Sequence, residues 1–233
     1  MPVKIKAVIL AGGKGTRLYP ITKEIPKPLL PVKRKPIINY LVDLFLKFSI
    51  RDIFVLINKE FSEDFKWWKK RYYPKNKIIF VEEQKPLGTW GGVALIKKQL
   101  QNSYFYLTNG DELKEIDLKE MFEFHIKKQV LATIALVKVP NPQDYGVAVL
   151  KGDLIENFIE KPKNPPSNYI SSGLYLFSPK ILDYHKGLKF QMVERDVFPK
   201  LTKNKQLGGF KIQGRWVDCG TWQRYENALK IWN

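Results

Sequence analysis

The sequence predicts an α/β fold: a mixed, mainly parallel central sheet flanked by helices, with β-hairpins inserted in its second half. Three observations carry the prediction. Apolar runs of strand length alternate with amphipathic helical stretches through the first half, the pattern of a parallel sheet wrapped by crossover helices. The second half turns β-rich, its strands separated by turn-forming pairs. At 233 residues, 44% hydrophobic and 13% aromatic, the chain can bury the core of one large domain.

Ala7 to Leu10 is the first expected strand and Ile53 to Ile57 the second, followed by Ile78 to Glu82 and Tyr104 to Leu107. Amphipathic stretches at Pro36 to Phe48, Phe61 to Arg71 and Gly91 to Leu100 supply the crossover helices, with Pro36 placed as a first-turn residue. Leu131 to Val139, Tyr145 to Leu150 and Leu154 to Ile159 read as hairpin strands around Asn141-Pro142 and Gly152-Asp153. A strand at Ile170 to Phe177, a helix near Arg195 to Leu201, a strand near Leu207 to Ile212 and a last helix from Thr221 to Trp232 complete the pattern. The order is Rossmann-like, and no repeat or linker breaks it, so a single domain over 1–233 is expected.

The net charge of +17 suits an anionic partner: nucleic acid, an acidic membrane or a polyphosphate. The lysines are scattered singly and in pairs, so most are expected to be solvated surface. The lone Cys219 excludes an intramolecular disulfide framework and a cysteine zinc site, which favours the cytoplasm. No apolar run is long enough to span a bilayer, so no membrane partner is expected.

Directly after the first strand, Leu10 to Leu18 reads LAGGKGTRL. Glycines there let backbone N–H groups turn toward a phosphate. The segment is no P-loop, because Gly15 follows Gly13-Lys14 where a hydroxyl is needed, and no dinucleotide turn, because Leu18 replaces the third glycine. Arg17 can fork onto phosphate oxygens, and Lys27, braced by Pro26, Pro28 and Pro31, supplies a fixed point charge. In Asn109-Gly110-Asp111 a carboxylate ends an apolar strand, where open α/β sheets bind ligands and a hard oxygen suits Mg²⁺. Asp218, read alone, is a helix cap.

The stretch LAGGKGTRLYPITKEIPKPLLPV resembles the signature of the sugar-1-phosphate nucleotidylyltransferases, or NDP-sugar pyrophosphorylases. Trp216-Val217-Asp218-Cys219-Gly220-Thr221, Phe158-Ile159-Glu160-Lys161-Pro162 and Ser171-Ser172-Gly173-Leu174-Tyr175 resemble further family motifs in the expected order. The resemblance implies a GT-A-like nucleotidyltransferase fold in its short form, without a C-terminal β-helix. It implies that Leu10, Ala11, Gly12, Gly13, Gly15 and Thr16 cradle the nucleotide together with Glu83, Pro86, Gly88, Thr89, Asn109 and Gly110. Arg17 and Lys27 would act on the triphosphate, Asp111 and Asp218 would hold Mg²⁺, and Tyr145, Gly146, Glu160, Lys161, Ser171 and Ser172 would hold the sugar phosphate.

Glu83 can only accept hydrogen bonds, and guanine offers two adjacent donors, so GTP is the expected nucleotide. Mannose-1-phosphate is the expected sugar, by similarity of the Asn109 to Leu113 and Glu160 to Pro162 stretches to guanylyltransferases. Ser171 stands where the family carries asparagine, which leaves heptose-1-phosphate, or glucose-1-phosphate with uridine or thymidine nucleotides, as alternatives. A basic nucleic-acid-binding protein is the rival from another class, supported by the charge and by Trp67, Trp68, Tyr72 and Tyr73; their near-helical spacing favours a core edge or an oligomer contact, and no nucleic acid is expected. A homo-oligomer stays open. His125 and His185 lie outside every motif, and His125 reads as structural.

Overall fold

A computed structural model describes residues 3–232. In chain order the strands are β1 (Ile5–Ala11), β2 (Pro31–Val32), β3 (Lys35–Pro36), β4 (Ile53–Asn58), β5 (Ile78–Glu83), β6 (Tyr104–Asn109) and β7 (Glu112–Lys114). They continue as β8 (Ala132–Lys138), β9 (Gly146–Lys151), β10 (Leu154–Glu160), β11 (Tyr169–Phe177), β12 (Leu207–Lys211) and β13 (Trp216–Asp218). The helices are α1 (Ile37–Lys47), α2 (Ser62–Tyr72), α3 (Gly88–Gly91), α4 (Lys97–Leu100), α5 (Leu118–Lys128), α6 (Phe198–Lys203) and α7 (Trp222–Ile231). The chain divides into two compact units.

The first unit comprises Lys6–Pro86, Thr108–Glu115 and the chain from Gly214 onward. Its β4 lies between β1 and β5, parallel to both, with Leu10 opposite Leu56 and Asn58 opposite Glu83. Buried on both faces, β4 is almost wholly apolar, Ile-Phe-Val-Leu-Ile. Helix α1 turns Ile37, Ile38, Leu41, Val42 and Phe45 inward at helical spacing. A core of Leu18, Leu30, Val32, Ile37, Leu113, Val217, Cys219, Tyr225, Ala228 and Trp232 ties the glycine-loop segment to the chain's last helix. The ribbon of β7 and β13 is antiparallel, with Asp218 opposite Glu112.

The second unit holds the chain up to Ile5, Leu87–Leu107 and Ile116–Gln213. Here β8 pairs β11 antiparallel and β12 parallel, and β9 and β10 form a hairpin. That hairpin turns at Gly152, in the left-handed region at φ 62°, as the Gly-Asp pair predicts. The strands around Asn141-Pro142 do not form a second hairpin with each other, because β8 takes β11 and β12 as its partners. Trp90, Phe105 and Phe177 stack in this unit's interior.

The helix expected over Gly91 to Leu100 is instead three short pieces: α3, a 3₁₀ segment Gly92–Ile96, and α4. Trp90 and Gly91 both donate their N–H groups to the carbonyl of Gln191, so another stretch of chain caps the first turn of α3. The helix expected near Arg195 begins as a π-helical turn, Val193–Val197, before α6. Trp68 is core, donating from Nε1 to Asn39 at 2.7 Å, while Trp67 is exposed beside Arg71. His125 is structural as expected: buried, with Nδ1 2.8 Å from Thr133 Oγ1 and Nε2 2.8 Å from Ser178 Oγ. Burial holds its ring pKa down to about 4.

Candidate active site

In the first unit β1 delivers Leu10 and Ala11 to the loop Gly12 to Gly15, and a 3₁₀ turn, Thr16–Leu18, follows. The loop closes on itself: Leu18 N–H and the Thr22 hydroxyl both donate to Gly15 C=O at 2.8 Å. A Cβ on Gly12 would stand 2.5 Å from Glu83 Oε2. The glycine is therefore what allows the β5 carboxylate to reach the loop.

The proline-braced arm forms a second 3₁₀ turn, Lys27–Leu29. Lys27 is buried, and its Nζ donates to Asp111 Oδ2 at 2.7 Å. Asp111 follows Gly110, whose N–H donates to Leu10 C=O at 2.9 Å; a Cβ there would fall 2.7 Å from that same carbonyl oxygen. The Asn-Gly-Asp sequence thus docks the end of β6 against the end of β1.

Asp111 C=O accepts from Cys219 N–H at 3.0 Å, which seats Asp218 beside Asp111. Asp218 Oδ1 accepts from Gly220 N–H at 2.8 Å and lies 3.6 Å from Arg224 Nη1. Arg17 Nη2 reaches to 3.2 Å of the point a Gly220 Cβ would occupy. Arg17, Lys27, Asp111 and Asp218, some 200 residues apart at the extremes, therefore meet in one unit. Two adjacent hard-oxygen carboxylates, with side chains 26% and 12% exposed, fit Mg²⁺, which takes one or two carboxylates and completes its shell with phosphate and water oxygens. The described residues hold no cluster of three or more His, Cys, Asp or Glu side chains suited to a metal. Burial and the neighbouring carboxylates push the Cys219 thiol pKa up, so it is a small hydrophobe and no nucleophile.

Sequence reasoning missed the support beneath this pair. Lys114 and Glu112 are buried, 3.1 Å apart. Glu112 accepts from Asn109 Nδ2 at 2.7 Å and from Trp216 Nε1 at 3.0 Å, and Lys114 donates to Thr108 at 3.0 Å. Burial works against charge on both, raising the Glu112 pKa and lowering that of Lys114. Asn109, expected to meet nucleotide, holds Glu112 with its amide.

The second unit gathers the remaining positions. Gly88 and Thr89 open α3 just after Pro86. Thr89 donates its hydroxyl to Glu194 Oε2 at 2.5 Å and accepts from Val193 N–H at 3.0 Å. Tyr145 C=O accepts from Lys161 N–H at 3.0 Å, which aligns the hairpin ends. Glu160 Oε2 stands 3.0 Å from the point a Gly146 Cβ would take, with the Phe158 ring against the same point. Lys161 Nζ is 3.8 Å from Glu160 Oε1. Ser171 and Ser172 are buried at a bulge in β11, where Gly173 N–H donates to Ser171 Oγ at 3.1 Å. Glu194, absent from every expectation, is buried; burial chiefly raises its carboxyl pKa, helped by the charge of Glu160.

A family model described as nucleotidyl transferase matches residues 6–232. The chain belongs to the nucleotidyl transferase family. Among its curated relatives is the mannose-1-phosphate guanyltransferase of Saccharomyces cerevisiae, 36% identical over 224 residues, covering 93% of this chain and 61% of the relative. The mannose-1-phosphate guanylyltransferase catalytic subunit beta of Xenopus tropicalis is likewise 36% identical, with 93% and 61% covered. The chain thus spans about three-fifths of the length of these relatives. Among solved structures, HddC from Yersinia pseudotuberculosis complexed with GMP-PN superposes with a TM-score of 0.81 at 27% identity, covering 98% and 99% of the two chains. A Bacillus anthracis protein described as a candidate glucose-1-phosphate thymidylyltransferase gives 0.89 at 29% identity, covering 97% and 94%. The chain shares the α/β nucleotidyltransferase fold with these solved structures, and its central sheet is mixed. No helix among the described residues is long and apolar enough to cross a membrane.

Proposed function

We propose that this chain is a Mg²⁺-dependent sugar-1-phosphate nucleotidylyltransferase that joins mannose-1-phosphate to GTP, releasing pyrophosphate and leaving GDP-mannose. The observation that supports it most is the meeting of Lys27 with Asp111 at 2.7 Å, beside Asp218 and within reach of Arg17. The choice of guanine leans on Glu83, an acceptor set against the glycine loop. The choice of mannose leans on the named relatives.

An oxygen of the sugar phosphate attacks the α-phosphorus of the nucleotide, and the bond to the pyrophosphate oxygen breaks. The attacking oxygen is already anionic, so no general base is needed; the protein must align two anions and offset their charge. Lys27 lies next to the α-phosphate, and Arg17 forks onto the departing pyrophosphate. Asp111 and Asp218 would hold Mg²⁺, which supplies charge neutralisation to the phosphates when bound. Lys161 anchors the sugar phosphate, and Glu160 accepts sugar hydroxyls. Tyr145, Gly146, Ser171 and Ser172 complete that side; Gly88 and Thr89 join the glycine loop on the nucleotide side. One catalytic domain over the whole chain, working in the cytoplasm, belongs to the same proposal.

The test is a pyrophosphate-release screen of ATP, GTP, CTP, UTP and TTP against mannose-, glucose- and heptose-1-phosphate with Mg²⁺. Turnover strongest with GTP and mannose-1-phosphate is expected. Turnover with UTP or TTP and glucose-1-phosphate alone would overturn the substrate pair, and no turnover with any pair would overturn the enzyme.

A further inference from the structure

A chain of hydrogen bonds in the second unit links two motifs that the proposed reaction gives to different substrates. Ser171 Oγ lies 3.3 Å from the Tyr175 hydroxyl, Tyr175 lies 3.1 Å from Glu194 Oε1, and Thr89 lies 2.5 Å from Glu194 Oε2. Glu194 is 8% and Tyr175 2% exposed, so solvent cannot easily rearrange these bonds. Glu194 sits on the π-helical turn Val193–Val197, a local irregularity that recurs at functional sites.

The direction of each bond follows from chemistry. The Thr89 and Tyr175 hydroxyls both donate to Glu194 and so favour its charged form against the burial that disfavours it; as a carboxylate it only accepts. With its proton committed, Tyr175 can only accept from Ser171, which therefore donates inward. Ser171 Oγ also accepts from Gly173 N–H at 3.1 Å, which leaves one lone pair and no proton for anything else. An asparagine at this position would carry both donors and an acceptor; Ser171 in this setting offers a single acceptor.

We infer that Glu194 is a positioning residue that fixes the hydrogen-bond polarity of the Ser171 motif, so that Ser171 recognises the sugar through a hydroxyl that donates to it. The inference rests on the proposed sugar-phosphate role of Ser171 and adds a specificity device to it. Glu194 touches no substrate; it acts through Tyr175. The Thr89 hydroxyl is set in the same sense: its proton is held by Glu194 and one lone pair by Val193 N–H, so it presents one lone pair rather than a donor.

The test uses the full chain, GTP and a series of sugar-1-phosphates in which each ring hydroxyl in turn is replaced by fluorine, which cannot donate. The wild type should lose about tenfold or more in kcat/KM at one ring position, as expected when a polar group loses its partner. Glu194→Gln keeps the shape and sets its amide N–H₂ toward Tyr175, because on the other side it would leave the Thr89 proton, on a hydroxyl already accepting from Val193 N–H, without its acceptor. Tyr175 must then accept from it and donate to Ser171, whose proton is released toward the sugar. The loss at that position should shrink to under about threefold, with the other positions unchanged relative to one another. Tyr175→Phe also releases the Ser171 proton and should move the same ratio, which covers the case in which the first variant does not fold. A purely structural role would lower all analogues together. Wild-type ratios retained in either folded variant, or a wild type indifferent to every replacement, would overturn the inference. A wild type that turns over no sugar phosphate at all would overturn the proposed function itself.

Discussion

Lys27 is held by prolines that stiffen its arm and by the 2.7 Å contact with Asp111, 84 residues further along the chain. Its charge is thus fixed before substrate arrives, which is what makes an electrostatic partner effective in a transition state. Lys27→Ala and Asp111→Ala should each lower kcat by about 10²-fold or more; near-normal pyrophosphate release from either folded variant would remove the assigned role. A different residue governs acid stability. His125 is buried between Thr133 and Ser178, with its pKa down at about 4 against 6.5 in the open chain. The unfolded chain therefore takes up the proton first as pH falls, so stability is full above pH 6.5 and drains away toward pH 4. The linkage amounts to about 3 kcal/mol. Urea denaturation at pH 7 and pH 4.5 should register that decline, and His125→Asn should be less stable at pH 7 but flatter across the interval.

The element that carries the carboxylate pair is the β7–β13 ribbon, only three residues on each side. So short a ribbon needs bracing, and the buried Lys114–Glu112 pair, tied to Thr108, Asn109 and Trp216, supplies it. Lys114→Met should destabilise the protein by about 3 to 5 kcal/mol, because it strands a buried carboxylate, whereas the Glu112→Leu/Lys114→Met double variant should regain most of the loss. Equal destabilisation in the single and double variants, measured by urea denaturation, would show that the loss does not come from a stranded carboxylate. None of this was legible beforehand, since Glu-Leu-Lys reads as a solvated turn and only the register with Trp216 to Asp218 buries it. The long strands and α1, α2 and α7 were legible because their periodicity records which face is buried. The stretch Gly88 to Leu100 was not, because its apolar spacing does not record the change from α to 3₁₀ winding and back, nor the carbonyl of Gln191, about a hundred residues away, that caps its first turn. The glycine loop, Arg17, Lys27 and Asp111 carry local signals, whereas Asp218, read alone, is a helix cap and joined the candidate site only through the resemblance of its motif. Glu194 was not legible, because a glutamate on a helix reads as surface, and only packing against Thr89 and Tyr175 gives it a role.

At the scale of the whole molecule, the charge of +17 acts on any polyanion, whichever reading of function is right, so charge alone cannot separate catalysis from nucleic-acid binding. The ion pairs divide into two kinds. Those such as Lys66–Glu63 and Lys119–Glu123 are largely exposed and are screened within a Debye length of about 8 Å at physiological salt. Lys27–Asp111, with side chains 10% and 26% exposed, is screened much less. Added salt should therefore weaken the attraction of nucleotide to the protein while leaving the chemistry of the bound complex largely intact. Between 50 and 500 mM NaCl, KM for the nucleotide should rise several-fold while kcat changes by less than about twofold. Single-stranded RNA gives the contrast. If the exposed Trp67 and Arg71 belonged to an RNA surface, a long RNA would bind through many phosphates and its affinity would fall by orders of magnitude over the same range. Measuring nucleotide KM, kcat and RNA binding on one salt series decides between the two. A steep RNA response with no salt effect on nucleotide KM would move the charge away from catalysis; a rise in nucleotide KM with weak RNA binding throughout would place it in substrate capture.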